Sequence, residues 1–173
     1  MIEIRKLDAT DRYRYLGALA EVLVDCVEGG ASVSFMAGFS QEDGEAFFTK
    51  CFDGLERGER IILAAFADSE LVGTVQVVTA TPPNQPHRAD VAKLLVKRSA
   101  RGKGVARQLM ERAEEVSIEA GKTLLVLDTV TGGDAESLYE RMGWTKAGVI
   151  PNYALFPDGR FCDTTVFWKA VGA

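Results

Sequence analysis

The segment Arg101-Gly102-Lys103-Gly104-Val105-Ala106 decides the fold of this chain, because a strand pattern precedes it and a helix pattern follows it. Upstream, the run from Val91 to Val96 is apolar and is interrupted only by Lys93. Downstream, small and apolar residues recur at the spacing of one buried helical face, namely Ala106, Leu109, Met110, Ala113, Val116, Ser117 and Ala120. Two glycines therefore lie where a strand passes into the first turn of a helix.

This turn predicts a binding site for a pyrophosphate. Helix N-termini leave backbone N–H groups without partners and carry partial positive charge. Glycine allows a ligand to approach those groups closely, and Lys103 adds positive charge, as do the nearby Arg98, Arg101 and Arg107. The turn is not a dinucleotide-binding fingerprint, which needs a third glycine, and it is not a Walker loop, which needs a Gly-Lys-Ser/Thr sequence. A turn that simply favours glycine beside a solvated cationic surface is the alternative.

The segment matches an Arg/Gln-x-x-Gly-x-Gly/Ala signature, and the chain thereby resembles the GNAT superfamily of N-acetyltransferases. Between Leu124 and Lys169 it is similar to the small-molecule branch that includes tabtoxin-resistance proteins. The residues that carry this closer likeness are Leu127-Asp128-Thr129, Ala135-Glu136-x-Leu138-Tyr139, Gly143-Trp144, Ile150-Pro151-x-Tyr153-Ala154 and Pro157-Asp158-Gly159.

The resemblance implies an α/β fold in one domain spanning residues 1–173. The expected sheet is mixed, largely antiparallel and twisted, with a splay between its fourth and fifth strands and helices on both faces. Local patterns agree: Asp8 and Ser40 are candidate helix caps, and Asp68-Ser69 is a hairpin turn. The expected strands start near Ile2 and occupy residues 61–67, 71–78, 91–96, 124–128, 147–154 and 164–169.

Composition narrows the class of protein. The net charge of −5 argues against a nucleic-acid partner, since phosphate neutralisation needs a clustered basic surface. Cys26, Cys51 and Cys162 are widely spaced, which favours reduced buried thiols over disulfides or a zinc site. We find no run of the roughly 18 apolar residues that a membrane span needs, and we expect a cytoplasmic protein. Trp144 and Trp168 are expected in the core.

For the cofactor, the resemblance implies coenzyme A. The preceding strand, through the backbone of Leu95, Val96 and Lys97, is expected to lie along the pantetheine arm. The residues expected at the pyrophosphate are Arg101, Gly102, Lys103, Gly104, Val105, Ala106 and Arg107. Gly132 stands where many members of the superfamily have asparagine, so its loop is expected to meet the cofactor through backbone groups.

Three side chains are candidates for proton transfer. An alkylammonium acceptor is neutral only about once in 2,500 molecules at neutral pH, so a base is needed. Asp128 ends a predicted strand, where α/β sheets bind ligands, and Asp90 could hold a water with it. A loop or cap role for Asp128 and a solvated strand start for Asp90 are the alternatives. The resemblance implies that Tyr139 protonates the coenzyme A sulfur; a core aromatic is the alternative.

These observations predict an acetyl-CoA-dependent N-acetyltransferase that acts by direct attack in a ternary complex. The expected acceptor is a small primary amine, such as an amino acid, an amino-acid-like toxin or an antimetabolite. The alternatives are a protein N-terminal or lysine acetyltransferase and a non-catalytic acyl-CoA sensor. No metal, nucleic acid or membrane is expected as a partner, and the terminal antiparallel pair would offer an edge for a homodimer.

Overall fold

A seven-stranded sheet organises residues 1–172, the part of the chain that this computed structural model describes. The strands are β1 (Ile2–Lys6), β2 (Arg60–Ala67), β3 (Glu70–Val78), β4 (Arg88–Val96), β5 (Leu124–Val130), β6 (Thr145–Leu155) and β7 (Phe161–Ala170). The helices are α1 (Arg12–Glu28), α2 (Gln41–Glu56), α3 (Val105–Glu119) and α4 (Asp134–Arg141). The strand order is β1-β2-β3-β4-β5-β7-β6, and β4 with β5 is its parallel pair. The predicted mixed α/β sheet is therefore confirmed.

Local sequence chemistry sets several boundaries of these elements. Asp8 forms a capping box with Asp11 over a short 3₁₀ turn that leads into α1. Ser40 forms a second capping box with Asp43 at the start of α2. Asp68 and Ser69 both have positive φ values, 47° and 73°, as a two-residue turn with the twist of a hairpin requires.

Helices cover both faces of the sheet and make two separate cores. Helices α3 and α4 cover one face, where Val77, Leu109, Leu125 and Phe167 are all fully buried. Helices α1 and α2 cover the other face, and the residues buried there include Leu19, Leu23, Phe48 and Ile62. The predicted helices on both faces are confirmed.

A β-bulge interrupts β4 in the middle of its pairing with β3. Gln76 of β3 pairs with Ala92, but two residues earlier Thr74 pairs with Leu95. Three steps along β4 thus oppose two along β3, and Lys93 takes up the extra residue with a φ of 55°.

The bulge exchanges the faces to which β4 side chains point. Before it, Ala89 and Val91 belong to the core beneath α3. An unbroken alternation would place Leu95 on that same face, yet Leu95 is buried with α1 and α2. The bulge therefore lets one strand contribute apolar side chains to both cores.

Several local expectations differ from the structure. Strand β4 begins at Arg88, β5 continues to Val130, and β7 begins at Phe161, so these strands are longer than predicted. Trp144 is buried as expected, but the prediction for Trp168 is wrong, since that residue on β7 is 41% exposed. Cys26, Cys51 and Cys162 are all buried thiols. Among residues 1–172, none of the helices combines the length and apolar character needed to cross a membrane.

Close packing of α1 on α2 predicts opposite effects for two glycine substitutions. A Cβ added at Gly44 would lie 2.9 Å from the Cβ of Ala20 and 3.2 Å from its Cα, so Gly44→Ala forces the helices apart. We expect a loss of about 1–3 kcal/mol in the free energy of unfolding. In Gly17→Ala the new methyl meets only side-chain atoms, the nearest 3.7 Å away, and helix propensity should add about 0.5–1 kcal/mol. Urea denaturation measures both, and equal gains would contradict the packing argument.

Candidate active site

The site is built around an opening between β4 and β5. The two strands pair only at Arg88–Leu124, Ala89–Leu125 and Asp90–Val126. Beyond these pairs, β4 continues to its last residue against β3, and β5 continues against β7, with no ladder joining the two. Backbone groups on the facing edges are left for a ligand or water to satisfy. This is the predicted splay between the fourth and fifth strands.

The glycine turn lies at the end of β4 and leads into α3. Gly102 and Gly104 have φ values of 74° and 79°, and Gly104 is the N-cap of α3 with no side-chain cap. Among the hydrogen bonds of residues 1–172, none is donated by the backbone N–H groups of residues 102–107. A run of unsatisfied donors at a helix N-terminus, with open space above Gly102, fits an anionic phosphate.

Two cationic side chains just before this turn, one of them the expected Arg98, are engaged by acidic residues. The Lys97 ammonium lies 2.9 Å from a carboxylate oxygen of Glu70. Arg98 binds Asp25 of α1 through both its guanidinium and its backbone N–H, at 2.9 and 2.7 Å. These contacts tie the end of β4 to its neighbours, and they make Arg98 less available to a phosphate.

The other cations of the turn have different partners. Arg107 pairs with Glu111 one turn further along α3, at 3.1 Å. Arg101 and Lys103 donate to backbone carbonyls at 3.2 and 3.0 Å, and neither forms an ion pair within residues 1–172. Those two side chains hold the positive charge that is uncompensated at the turn.

The backbone of Leu95, Val96 and Lys97 is partly engaged within the protein. The Val96 carbonyl accepts from the Arg101 guanidinium, and the Lys97 N–H donates to the Val72 carbonyl at 2.8 Å. The side chain of Leu95 is fully buried beneath α1 and α2. A role for this backbone beside pantetheine stays a prediction.

Two carboxylates named from the sequence share one cavity of about 210 Å³ at the opening. Its lining includes Asp90, Ala92, Asp128, Ile150, Tyr153 and Thr164. The carboxylate of Asp128 accepts a hydrogen bond of 2.9 Å from the Thr164 hydroxyl. Asp90 is ion-paired with Arg88, two residues earlier on β4. The structure thus brings both candidates together and gives them different partners.

Tyr139 lies on α4 and is 5% exposed. Its ring packs against Trp144 and Phe167, with centroid separations of 5.9 and 5.8 Å. Burial raises the pKa of the Tyr139 phenol above its usual range, and the negative charge of Asp128 raises it further. The Tyr139 hydroxyl forms no hydrogen bond with any other described residue. A protonated phenol therefore lies near enough to Asp128 to feel its charge.

The segment between α1 and α2, residues 29–40, is fastened to the hairpin between β6 and β7. The Ser32 hydroxyl donates to the Leu155 carbonyl at 2.7 Å, and the Ala37 N–H donates to the Pro157 carbonyl at 3.0 Å. Strand β6 also supplies Ile150 and Tyr153 to the cavity, so the fastened hairpin follows directly from a strand that lines the site.

One residue near the site, Lys93, was not assigned a role from the sequence, and one backbone group of the Gly132 loop differs from the expectation. Lys93 on the bulge donates to the Ser34 hydroxyl at 2.9 Å, and its place as the sole break in an apolar run was the available signal. The Gly132 N–H is held by the Glu136 carboxylate, which also accepts from Thr165 at 2.9 Å. That N–H is therefore satisfied within the protein rather than by a cofactor.

Comparisons with known proteins agree with this geometry. Residues 27–144 match the model of the acetyltransferase (GNAT) family. A curated relative, the N-alpha-acetyltransferase MAK3 of Arabidopsis thaliana, is 31% identical over 97 residues, which are 56% of this chain and 50% of that protein. The match thus spans half the length of that relative.

Solved structures show the same fold at low sequence identity. An N-acetyltransferase from Staphylococcus aureus Mu50 superposes with a TM-score of 0.81 at 20% identity, covering 99% of each chain. An acetyltransferase from Salmonella typhimurium, solved with its cofactor acetyl-CoA, gives a TM-score of 0.81 at 17% identity over 100% of this chain and 95% of that one.

The glycine turn predicts a selective loss of coenzyme affinity on substitution. Gly102→Ala adds a methyl group within the phosphate cradle at a residue whose φ is 74°. We expect the dissociation constant for coenzyme A, measured by calorimetric titration, to rise roughly 10-fold. Gly58→Ala is the matched control, because Gly58 has a φ of 72° and equally open space but lies in the α2–β2 turn. Both variants should lose similar stability. Equal loss of affinity in both would refute the cradle.

Proposed function

The chain belongs to the acetyltransferase (GNAT) family, and we propose that it transfers the acetyl group of acetyl-CoA to a small-molecule primary amine. The family makes it an acetyl-CoA-dependent N-acetyltransferase; the acceptor is the part that we propose. Amino acids, amino-acid-like toxins of the tabtoxin kind and other antimetabolites are the acceptors that we consider. The proposed route is direct attack in a ternary complex.

The small size of the acceptor cavity carries this proposal. Its volume of about 210 Å³ is below the roughly 300–1,000 Å³ typical of pockets for drug-sized ligands. Ile150 and Tyr153 of β6 line it, and the α1–α2 segment is fastened to the adjacent hairpin. A cavity of this volume suits a compact amine better than an extended polypeptide.

A protein N-terminal acetyltransferase is the second candidate. The similarity to MAK3, whose name describes an N-alpha-acetyltransferase, favours it. Such an enzyme would have to accommodate the rest of a polypeptide beside Ile150 and Tyr153, which are 45% and 56% exposed. The two candidates therefore differ in the room that the acceptor needs beside β6.

Asp128 is the proposed base. The Thr164 hydroxyl fixes one oxygen of its carboxylate, which leaves the other able to take a proton from the acceptor ammonium, directly or through a water. Asp90 is the proposed second holder of that water, since its charge is already balanced by Arg88. When bound, the thioester of acetyl-CoA supplies an activated acyl group.

Tyr139 is the proposed acid. The acceptor nitrogen bonds to the acyl carbon, the carbon–sulfur bond breaks, and the departing sulfur takes the phenolic proton. The acceptor ammonium loses two protons in all; one restores Tyr139 through solvent and the other is released. Burial raises the pKa of Tyr139, so the phenol stays protonated at neutral pH, as a proton donor must.

The acceptor is tested by screening amines for thiol release from acetyl-CoA. We expect turnover with at least one small primary amine and none with peptides that carry a free N-terminus. Turnover of peptides alone would support the second candidate. Binding of acetyl-CoA without turnover of any amine would support the non-catalytic acyl-CoA sensor.

The homodimer expected from the sequence has a candidate surface on the edge strand β6. Val149, Ile150, Tyr153 and Leu155 on this strand are exposed, and so is Phe161 at the start of β7. Edge strands with exposed apolar side chains favour pairing with another chain. Sedimentation velocity should give a dimer, and Ile150→Lys, as a substitution on that edge, should give a monomer.

Loss of the Tyr139 hydroxyl should remove catalysis and preserve the fold. Because that hydroxyl has no hydrogen bond within the described residues, Tyr139→Phe keeps its packing on Trp144 and Phe167. We expect kcat to fall about 100-fold with an unchanged dissociation constant for acetyl-CoA. Tyr13→Phe, at a residue 90% exposed, is the control.

The pH dependence of kcat gives a further check on the same residue. An acid must be protonated to act, and burial raises the pKa of Tyr139, so wild-type activity should show no basic limb up to about pH 9. Unchanged kcat in Tyr139→Phe would rule out the acid role.

A further inference from the structure

Lys93 is a half-buried cation beside the acceptor cavity that the mechanism above does not use. Its ammonium donates to the Ser34 hydroxyl at 2.9 Å and lies 6.0 and 5.9 Å from the ring centroids of Phe35 and Phe47. No carboxylate within residues 1–172 forms an ion pair with this ammonium. The two aromatic rings attract the ammonium, but more weakly than a counter-ion would.

The ammonium of Lys93 is partly removed from solvent and has no charged partner within residues 1–172. It has three N–H donors, and Ser34 accepts from one of them. Removing a charge from water is costly unless a partner of opposite charge is supplied. The physical consequence is visible in the pKa of Lys93, which burial lowers and the charge of Asp128 partly restores. An anion placed beside Lys93 would remove this cost.

The backbone at both ends of this hydrogen bond is strained. Lys93 has a φ of 55° and Ser34 has a φ of 84°, in a backbone region that residues other than glycine rarely adopt. Such strain persists where the surrounding structure holds it and is concentrated at ligand-binding positions. Here the two strained residues hold each other across the gap between β4 and the α1–α2 segment.

Lys93 lies on the same side of the sheet as the proposed base. Leu125 and Leu127 belong to the core beneath α3, so the alternation along β5 directs Asp128 to the opposite face. Lys93 contacts Phe35 and Phe47, which pack with the core beneath α1 and α2 on that opposite face. Asp128 and Lys93 thus lie on one face of the sheet, close enough for the charge of Asp128 to act on the ammonium.

We propose that Lys93 is a specificity-determining residue whose ammonium binds a carboxylate of the acceptor. This inference rests on the proposed function and narrows it: the acceptor is an amino acid or an analogue with an acid group beside its amine. Asp128 attracts the amine and Lys93 attracts the acid, so the two ends of such a molecule are bound by opposite charges. A lysine that only braces Ser34 is the competing explanation.

The test compares matched acceptors with and without the acid group. Thiol release is measured for leucine against isoamylamine and leucine methyl ester, and for methionine against 3-(methylthio)propylamine. The wild type should show at least about a 10-fold higher kcat/KM for the acids. Lys93→Met should raise KM for the acids about 10- to 100-fold and leave the KM of the amines within about twofold. Lys93→Arg should keep part of the preference.

Control variants separate binding from bracing. Lys50→Met removes an exposed lysine of α2 and should leave every constant unchanged. Ser34→Ala removes the brace and keeps the charge, so it should retain the acid preference. A preference lost equally in Ser34→Ala and Lys93→Met would overturn the proposal in favour of bracing. Should Lys93→Met fail to fold in thermal denaturation, the wild-type preference and its retention in Lys93→Arg decide the question.

The failure of this inference differs from the failure of the proposed function. Turnover of small amines without any preference for the acids would overturn the role of Lys93 and leave the proposed function intact. Turnover of peptides alone would overturn both.

Discussion

The loss of hydrogen bonding between β4 and β5 is the constraint on which the rest of this structure depends. Three residue pairs hold the strands together at one end, and beyond Asp90 and Val126 they have no shared ladder. Unpaired strand edges are costly in a closed interior, but here they border a cavity and the N-terminus of α3. Each strand keeps its other edge paired, so the sheet survives the opening.

The bulge at Lys93 anchors β4 at that opening and sets which way its side chains point. By adding one residue to β4, it directs Leu95 towards α1 and α2 while Val91 faces α3. The strand is thereby anchored in both cores just where its pairing with β5 has ended. The same device places a charged side chain beside the rings of Phe35 and Phe47. Strand geometry and site electrostatics thus have one local cause.

Much of the fold was accessible from short-range patterns. Some features depend only on neighbouring residues and can therefore be predicted from the sequence. They are the helix caps at Asp8 and Ser40, the turn at Asp68 and the glycines flanking Lys103. Strand ends were less accessible, because pairing with neighbouring strands, rather than local propensity, extends them. The exposure of Trp168 was missed for a related reason: β7 pairs with β6 at the edge of the sheet, where one face lacks a covering helix.

The sequence by itself determined the order of elements, the anion-binding turn and the residue types available for proton transfer. Only the tertiary structure decided which of those residues form ion pairs and hydrogen bonds with one another. It commits Arg98 to Asp25 and Asp90 to Arg88, leaves Arg101 without an ion pair among residues 1–172, and brings Lys93 to Ser34. The reason is physical: an ion pair or a buried charge depends on distance and desolvation, and both arise from segments far apart in the chain.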